Sequence, residues 1–181
     1  MFSGKTTSLM RELERYQLAG IPVLAINHSF DQQRTERQAT LRTHNHQFAE
    51  ALMLPDLALL HLDAGYRRLY QEAEVVAIDE AQFFRDLLEQ VVQMVERDGK
   101  TVYVAGLDGT ADRKRFGQIL DLIPYCDSVV KLTGVCKDCH QKMVDALFTK
   151  SLAPVVLEIQ VGGAERYKAV CRKHFAAGGV T

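Results

Sequence analysis

Three small groups of residues could carry chemistry. The first is Ser3-Gly4-Lys5-Thr6-Thr7. It matches the tail of the phosphate-binding loop G-x-x-x-x-G-K-[ST]. There the glycine turns backbone N–H groups toward phosphate oxygens, the lysine reaches the β- and γ-phosphates, and the hydroxyl ligates Mg²⁺. Those roles fall to Gly4, Lys5 and Thr6. The second group is Asp79-Glu80, directly after the apolar run 74–78. A carboxylate at the C-terminal end of a buried parallel strand sits where open α/β sheets bind ligands. Asp79 can hold the water shell of a phosphate-bound Mg²⁺, and Glu80 can accept the proton of an attacking hydroxyl. The third group is Cys136-x-x-Cys139 with Cys171-x-x-His174. Two such pairs supply the four soft ligands of a closed tetrahedral zinc site, which is structural because no coordination position stays open.

Each group has a plainer reading. Ser-Gly-Lys-Thr-Thr also occurs at helix starts that bind nothing, and the leading glycine of the loop is absent. A strand-end Asp-Glu pair can simply be solvated. Residues 136–140 spell C-x-x-C-H, the haem attachment motif, but that chemistry needs export and no apolar leader is present. A redox C-x-x-C leaves Cys171 and His174 unexplained. His140 is a rival ligand to the better-spaced His174, and Cys126 reads as a buried core thiol.

The elements that must position these groups follow from periodicity. Residues 5–19 read as a helix with Leu9, Leu13, Tyr16 and Leu18 on one apolar face, ended by Gly20 and Pro22. Residues 23–26, 74–78 and 101–105 are short, continuously apolar strands. Helices are expected over 63–72 and 84–97, the latter with Leu87, Leu88, Val91, Val92 and Val95 inward, and a polar loop over 27–47. Alternating helices and apolar strands mean an α/β fold: a parallel sheet covered on both faces. The pattern breaks after about residue 131. We expect an ATP-binding P-loop domain over 1–131 and a small zinc-binding lobe over 132–181.

Composition narrows the function classes. Of 181 residues, 47% are hydrophobic, which supports a packed core and argues against a disordered chain. Lys and Arg number 22 against 23 Asp and Glu, so no global charge draws the chain to nucleic acid or an anionic membrane. No apolar run of about 18 residues occurs. The expected location is cytoplasmic, with no membrane and no nucleic-acid partner. A zinc-ribbon nucleic-acid module would need a basic face that the charge balance does not supply.

The stretches MFSGKTT, IDEAQFF, LDGTADRKRFG, DSVVKLTGVCKDC and VGGAERYKAVCRKH, in this order, resemble the zinc-containing type II thymidine kinases. The resemblance runs from Met1 to about Phe175 and is weak only over 27–62. It implies a P-loop α/β domain with a zinc-bearing lobe that carries a lasso loop over the nucleoside. It implies transfer of the γ-phosphoryl of ATP to the 5′-hydroxyl of thymidine, with Mg²⁺ and a structural zinc. It implies a homotetramer and feedback inhibition by dTTP. Glu80 matches the catalytic base. Phe2, Ser3, Gly4, Lys5, Thr6, Thr7, Asp79 and Gln82 fall in the ATP-binding set. Lasso residues Glu158, Ile159, Gln160, Val161 and Gly162 match those that grip the base through backbone groups, and Gly162-Gly163 suits close backbone approach. Met1, Phe83 and Tyr167 match nucleoside contacts.

The sequence also departs from the family. Ala111 stands where relatives commonly carry phenylalanine, which implies a roomier base pocket, with Phe116 as the compensating ring. The stretch 139–149 is longer than in relatives, and the family's Asp-x-Arg becomes Asp31-Gln32-Gln33-Arg34, which makes Arg34 a weak candidate phosphate contact. The family also runs one strand and a Gly-Pro before the residue matching Met1, so a longer natural chain is expected. The competing function is a catalytically inactive nucleotide-binding paralogue, motivated by the incomplete loop and by Ala111.

Overall fold

The computed structural model describes residues 1–30, 40–42, 48–140, 142–152, 163 and 165–177. These divide into two compact units. One comprises Lys5–Asp108 and Phe116–Val129; the other comprises Met1–Gly4, Gly109–Arg115 and Val130–Thr181.

The first unit is built on a four-stranded parallel sheet. It contains helix α1 (Lys5–Leu18), strand β1 (Val23–His28), a hairpin of β2 (Thr40–Arg42) and β3 (Phe48–Glu50), and β4 (Leu52–Leu54). A short helix α2 (Leu59–Leu62), helix α3 (Ala64–Glu72), β5 (Val75–Ile78), helix α4 (Leu87–Val92) and β6 (Thr101–Val104) follow. The strand order is β4-β1-β5-β6, with Ile26 opposite Ile78 and Ile78 opposite Val104. Alternation along β5 sorts its side chains to two faces. Val76 and Ile78 join the core of Ile26, Leu54, Phe84, Leu87 and Met94. Val75 and Ala77 pack with Leu9 and Leu13 of α1. Both faces are covered, and that is why these strands read as continuous apolar runs.

Local chemistry sets the boundaries. Gly20 takes φ +74 just past α1, the left-handed cap that glycine accepts without steric cost. Asp63 caps α3 by accepting from the amides of Gly65 and Tyr66. Several expectations change. Leu18 is 83% exposed, at the last position of the helix. In the helix expected over 84–97, α4 is only its middle, continued by a π-type turn over Gln93–Arg97. Met94 is buried there and Val95 faces out. The polar stretch 27–47 is not loop throughout: β1 runs on through Asn27 and His28, and Thr40–Arg42 pairs antiparallel with Phe48–Glu50. Polarity hid these strands, since a hairpin needs no apolar face when its backbone groups pair. Cys126 is exposed rather than a core thiol. It follows the 3₁₀ turn Ile119–Tyr125, whose Ile123 and Tyr125 are also exposed.

The second unit is built from two small antiparallel hairpins. Strand β7 (Gly134–Val135) pairs with β8 (Asp145–Ala146), and β9 (Phe148–Ser151) pairs with β10 (Tyr167–Val170). Helix α5 (Arg172–Ala176) closes the chain of elements. Among the described residues its core is small: Cys136, Ala146, Ala169, Val170 and Cys171, with Phe2, Phe148 and Phe175 against them. So little buried apolar area is a weak basis for a fold without a staple. Among the described residues, no helix is long and apolar enough to cross a membrane.

Candidate active site and metal centre

The strand-end carboxylates lie where the alternating pattern puts them. Strand β5 ends at Ile78 and delivers Asp79, which is buried, to the C-terminal edge of the sheet. The Thr6 hydroxyl, in the first turn of α1, donates to Asp79 Oδ2 at 2.6 Å. The Asp79 Oδ1 atom accepts from the Glu80 amide at 2.9 Å. Burial and the neighbouring Glu80 charge push Asp79 up to about 6, while Thr6, the Glu80 amide and Lys5 pull it down. A hydroxyl and a carboxylate converging beside a lysine form an oxygen donor set that suits Mg²⁺.

Glu80 takes φ +48, a left-handed conformation that costs a non-glycine residue about 1–3 kcal/mol and is kept only where surroundings impose it. Gln82 is part of what imposes it. Its Nε2 donates to Glu80 Oε2 at 2.6 Å, and its Oε1 accepts from the Leu107 amide at 2.9 Å. Gln82 is itself clamped by glycines. A Cβ on Gly106 would lie 2.6 Å from Gln82 Oε1, and one on Gly117, at φ +59, would lie 2.2 Å from the Gln82 carbonyl oxygen. Sequence reasoning placed Gln82 near ATP and missed its hold on Glu80, along with the two glycines. The two-residue spacing from Glu80 to Gln82 was the one available signal.

Aromatic rings gather beside this site. Phe83 packs edge-on to Phe116 at 5.5 Å and lies 5.6 Å from the His28 ring. His28, at the end of β1, is buried. Its Nε2 faces the Pro55 carbonyl at 2.9 Å, and its Nδ1 accepts from the Phe30 amide at 3.1 Å. Burial lowers its pKa, against the raising influence of the Pro55 carbonyl and of Asp56, Asp86 and Glu80. The ring is therefore a neutral, doubly bonded wedge under Phe83. Nothing in the sequence singled it out from the polar run that follows.

In the second unit, Gly4 takes φ +76, the backbone turn its motif requires. Ala111 sits in the tight turn 110–113, where the Arg113 amide donates to the Thr110 carbonyl at 3.0 Å. Tyr167 begins β10. Glu158, Ile159, Gln160, Val161 and Gly162, and likewise Arg34, lie outside the described residues.

The four expected metal ligands converge. Cys136 follows β7, Cys139 lies in the turn beyond it, Cys171 follows β10 at the N-cap position of α5, and His174 lies on α5. Their ligand atoms all lie within 4.8 Å of one another. The Cys139 and Cys171 sulfurs are 3.8 Å apart, and His174 Nδ1 stands 3.5, 3.4 and 3.4 Å from Cys136, Cys139 and Cys171. A tetrahedral zinc with bonds of about 2.0–2.3 Å sets ligand atoms about 3.5–3.8 Å apart, so the group fits zinc. The Cys171 amide donates to the Cys136 sulfur at 3.2 Å, which favours the thiolate a metal needs. Lys168 bonds Asp138 at 2.9 Å and ties the first ligand turn to β10. His140 is exposed and outside the cluster.

A parallel sheet, a glycine-lysine-threonine helix start and a strand-end aspartate on that threonine define a P-loop type of α/β protein. Relatives make the class specific. The thymidine kinase family model matches residues 1–175. The cytosolic thymidine kinase of Bos taurus is 44% identical over 173 residues, covering 95% of this chain and 67% of its own length. That of Homo sapiens is 42% identical over 175 residues, covering 95% and 68%. The thymidine kinase of Variola virus is 42% identical over 174 residues, covering 96% and 90%. The chain belongs to the thymidine kinase family.

Proposed function

We propose that this protein transfers the γ-phosphoryl of ATP to the 5′-hydroxyl of thymidine, giving dTMP and ADP. The observation that carries the reading is Glu80: a carboxylate held in a left-handed turn, gripped by Gln82, next to the buried Asp79–Thr6 pair. Family membership supports the choice of nucleoside.

Glu80 acts as general base, taking the proton of the 5′-hydroxyl and aligning its oxygen with the phosphorus. Gln82 keeps one carboxylate oxygen fixed, so the base meets the hydroxyl in one orientation. Phe2, Ser3, Gly4, Lys5, Thr6 and Thr7, together with Asp79 and Gln82, form the ATP-binding set. Thr6 and Asp79 would hold Mg²⁺, which supplies charge neutralisation at the transferring phosphoryl group. Met1, Phe83, Ala111, Phe116 and Tyr167, with Glu158, Ile159, Gln160, Val161 and Gly162, read the nucleoside. The P-loop domain that carries the ATP site spans residues 1–131, and residues 132–181 form the zinc-held lobe. A homotetramer, inhibition by dTTP and a cytoplasmic location complete the reading, as the family resemblance implies.

The test is phosphorylation of thymidine by the parent and by Glu80→Gln. Loss of a base that transfers a proton in the transition state lowers kcat about 10²–10⁴-fold, with the KM for thymidine little changed. Full activity in the variant overturns the assignment of the base. No product from the parent overturns the enzyme reading and favours a non-catalytic paralogue.

A further inference from the structure

The turn Gly109–Arg115 and the metal-bearing hairpins belong to the same compact unit, and the Arg113 side chain reaches from one to the other. Arg113 takes φ +61, a strained conformation for a residue with a Cβ. Thr110 and Lys114 close the turn around it: the Thr110 amide donates to the Lys114 carbonyl at 2.9 Å, and the Lys114 amide donates to Thr110 Oγ1 at 3.2 Å. That backbone sends the Arg113 guanidinium over two phenyl rings, 4.8 Å from the centroid of Phe175 and 5.9 Å from that of Phe148. The rings pack on each other at 5.1 Å. Phe175 directly follows the ligand His174 on α5. Phe148 opens β9, whose partner β10 leads into the ligand Cys171.

We propose that Arg113 is a positioning residue: its cation–π contact with Phe175 and Phe148 fixes the Ala111-bearing turn to the zinc-held fold, so metal occupancy sets the order of that turn. Exposed cation–π contacts are modest, but here the cation spans two packed rings. Arg172 also lies over Phe148, 5.0 Å from its centroid, so Phe175 is the ring Arg113 holds more closely. The consequence for nucleoside binding rests on the proposed thymidine kinase activity; the physical coupling does not.

The experiment uses the full chain with zinc bound, as parent, Arg113→Leu, Arg113→Lys, Arg113→Gly and Phe175→Leu. Metal analysis checks that each retains its zinc. Amide hydrogen exchange is then followed at Thr110 and Lys114, with Cys136 and Lys137 as references in the metal-bearing fold. In Arg113→Leu and Phe175→Leu the turn amides should exchange about three- to tenfold faster, the range a cation–π contact of this kind supports, with the references unchanged. Arg113→Lys should restore part of the protection. Arg113→Gly relieves the backbone strain yet lacks the cation, so it should also exchange fast; full protection there would reduce Arg113 to a strained bystander. Chelating zinc from the parent should accelerate the turn amides. Unchanged exchange in both Leu variants overturns the proposal. Thymidine kinetics then read the consequence: KM rises by a similar factor while kcat and the KM for ATP hold. Failure of the parent to phosphorylate thymidine overturns the activity, and the exchange data still decide the coupling.

Discussion

At the scale of single residues, the site depends on side chains held in costly states. Glu80 sits in a left-handed conformation, Asp79 is a buried carboxyl whose pKa burial and Glu80 push up, and His28 is a buried ring whose pKa burial lowers. His28 gives a pH prediction with a definite sign. Its folded pKa is lowered from 6.5 by burial, so the folded state favours the neutral ring. The stability it contributes is full above pH 6.5 and is lost as pH falls through the folded value. Protonation would also remove the Nδ1 acceptor of the Phe30 amide. A His28→Gln variant should therefore melt below the parent at pH 7.5, and the gap should narrow toward pH 5. Melting temperatures across that range check it; a gap that widens on acidification contradicts the neutral wedge. The sequence made Lys5, Thr6, Asp79 and Glu80 legible because their motif spacing is tied to phosphate chemistry. His28 and Gln82 were not legible in these roles, since their tasks arise from what the fold brings beside them.

At the scale of elements, three of the four sheet strands were readable, while the edge strand β4 and the fastenings were not. Continuous apolar runs gave β1, β5 and β6 because strands covered on both faces must be apolar throughout. The hairpin of β2 and β3 lay in polar sequence, and its pairing is a property of backbone. Gly106 and Gly117 looked like ordinary loop glycines, but each leaves space that Gln82 occupies. Gly117→Ala would force a side chain into φ +59 and against the Gln82 carbonyl at 2.2 Å. Strain and overpacking together should cost about 2–4 kcal/mol, read as a lower urea midpoint with unchanged slope. The displaced Gln82 should release Glu80, so kcat in the proposed reaction should fall as well. A variant as stable as the parent would show that the loop simply moves aside.

At the scale of the whole molecule, two units carry different kinds of stability. The first has a sheet with cores on both faces. The second has, among the described residues, a handful of buried side chains around four ligands. Structural zinc sites contribute folding energy outright, so removing zinc should unfold the second unit while the parallel sheet persists. Calorimetry should show one transition lost after chelation, and Cys139→Ser should reproduce the loss. A single unaltered melt would mean that the cluster is not a staple. The ligand set was legible because zinc demands a fixed spacing. The route by which Arg113 reaches Phe175 was not, because stacking leaves no spacing rule in the chain.

The exposure of Cys126 offers a convenient chemistry. The other three cysteines all belong to the metal group. A maleimide dye offered to the loaded protein should attach at a single position on the sheet-bearing unit. After chelation, every thiol becomes competent, and the dye-to-protein ratio climbs toward 4, the chain's whole cysteine complement. The stoichiometry of labelling thus becomes a colorimetric gauge of how much of a preparation holds its metal.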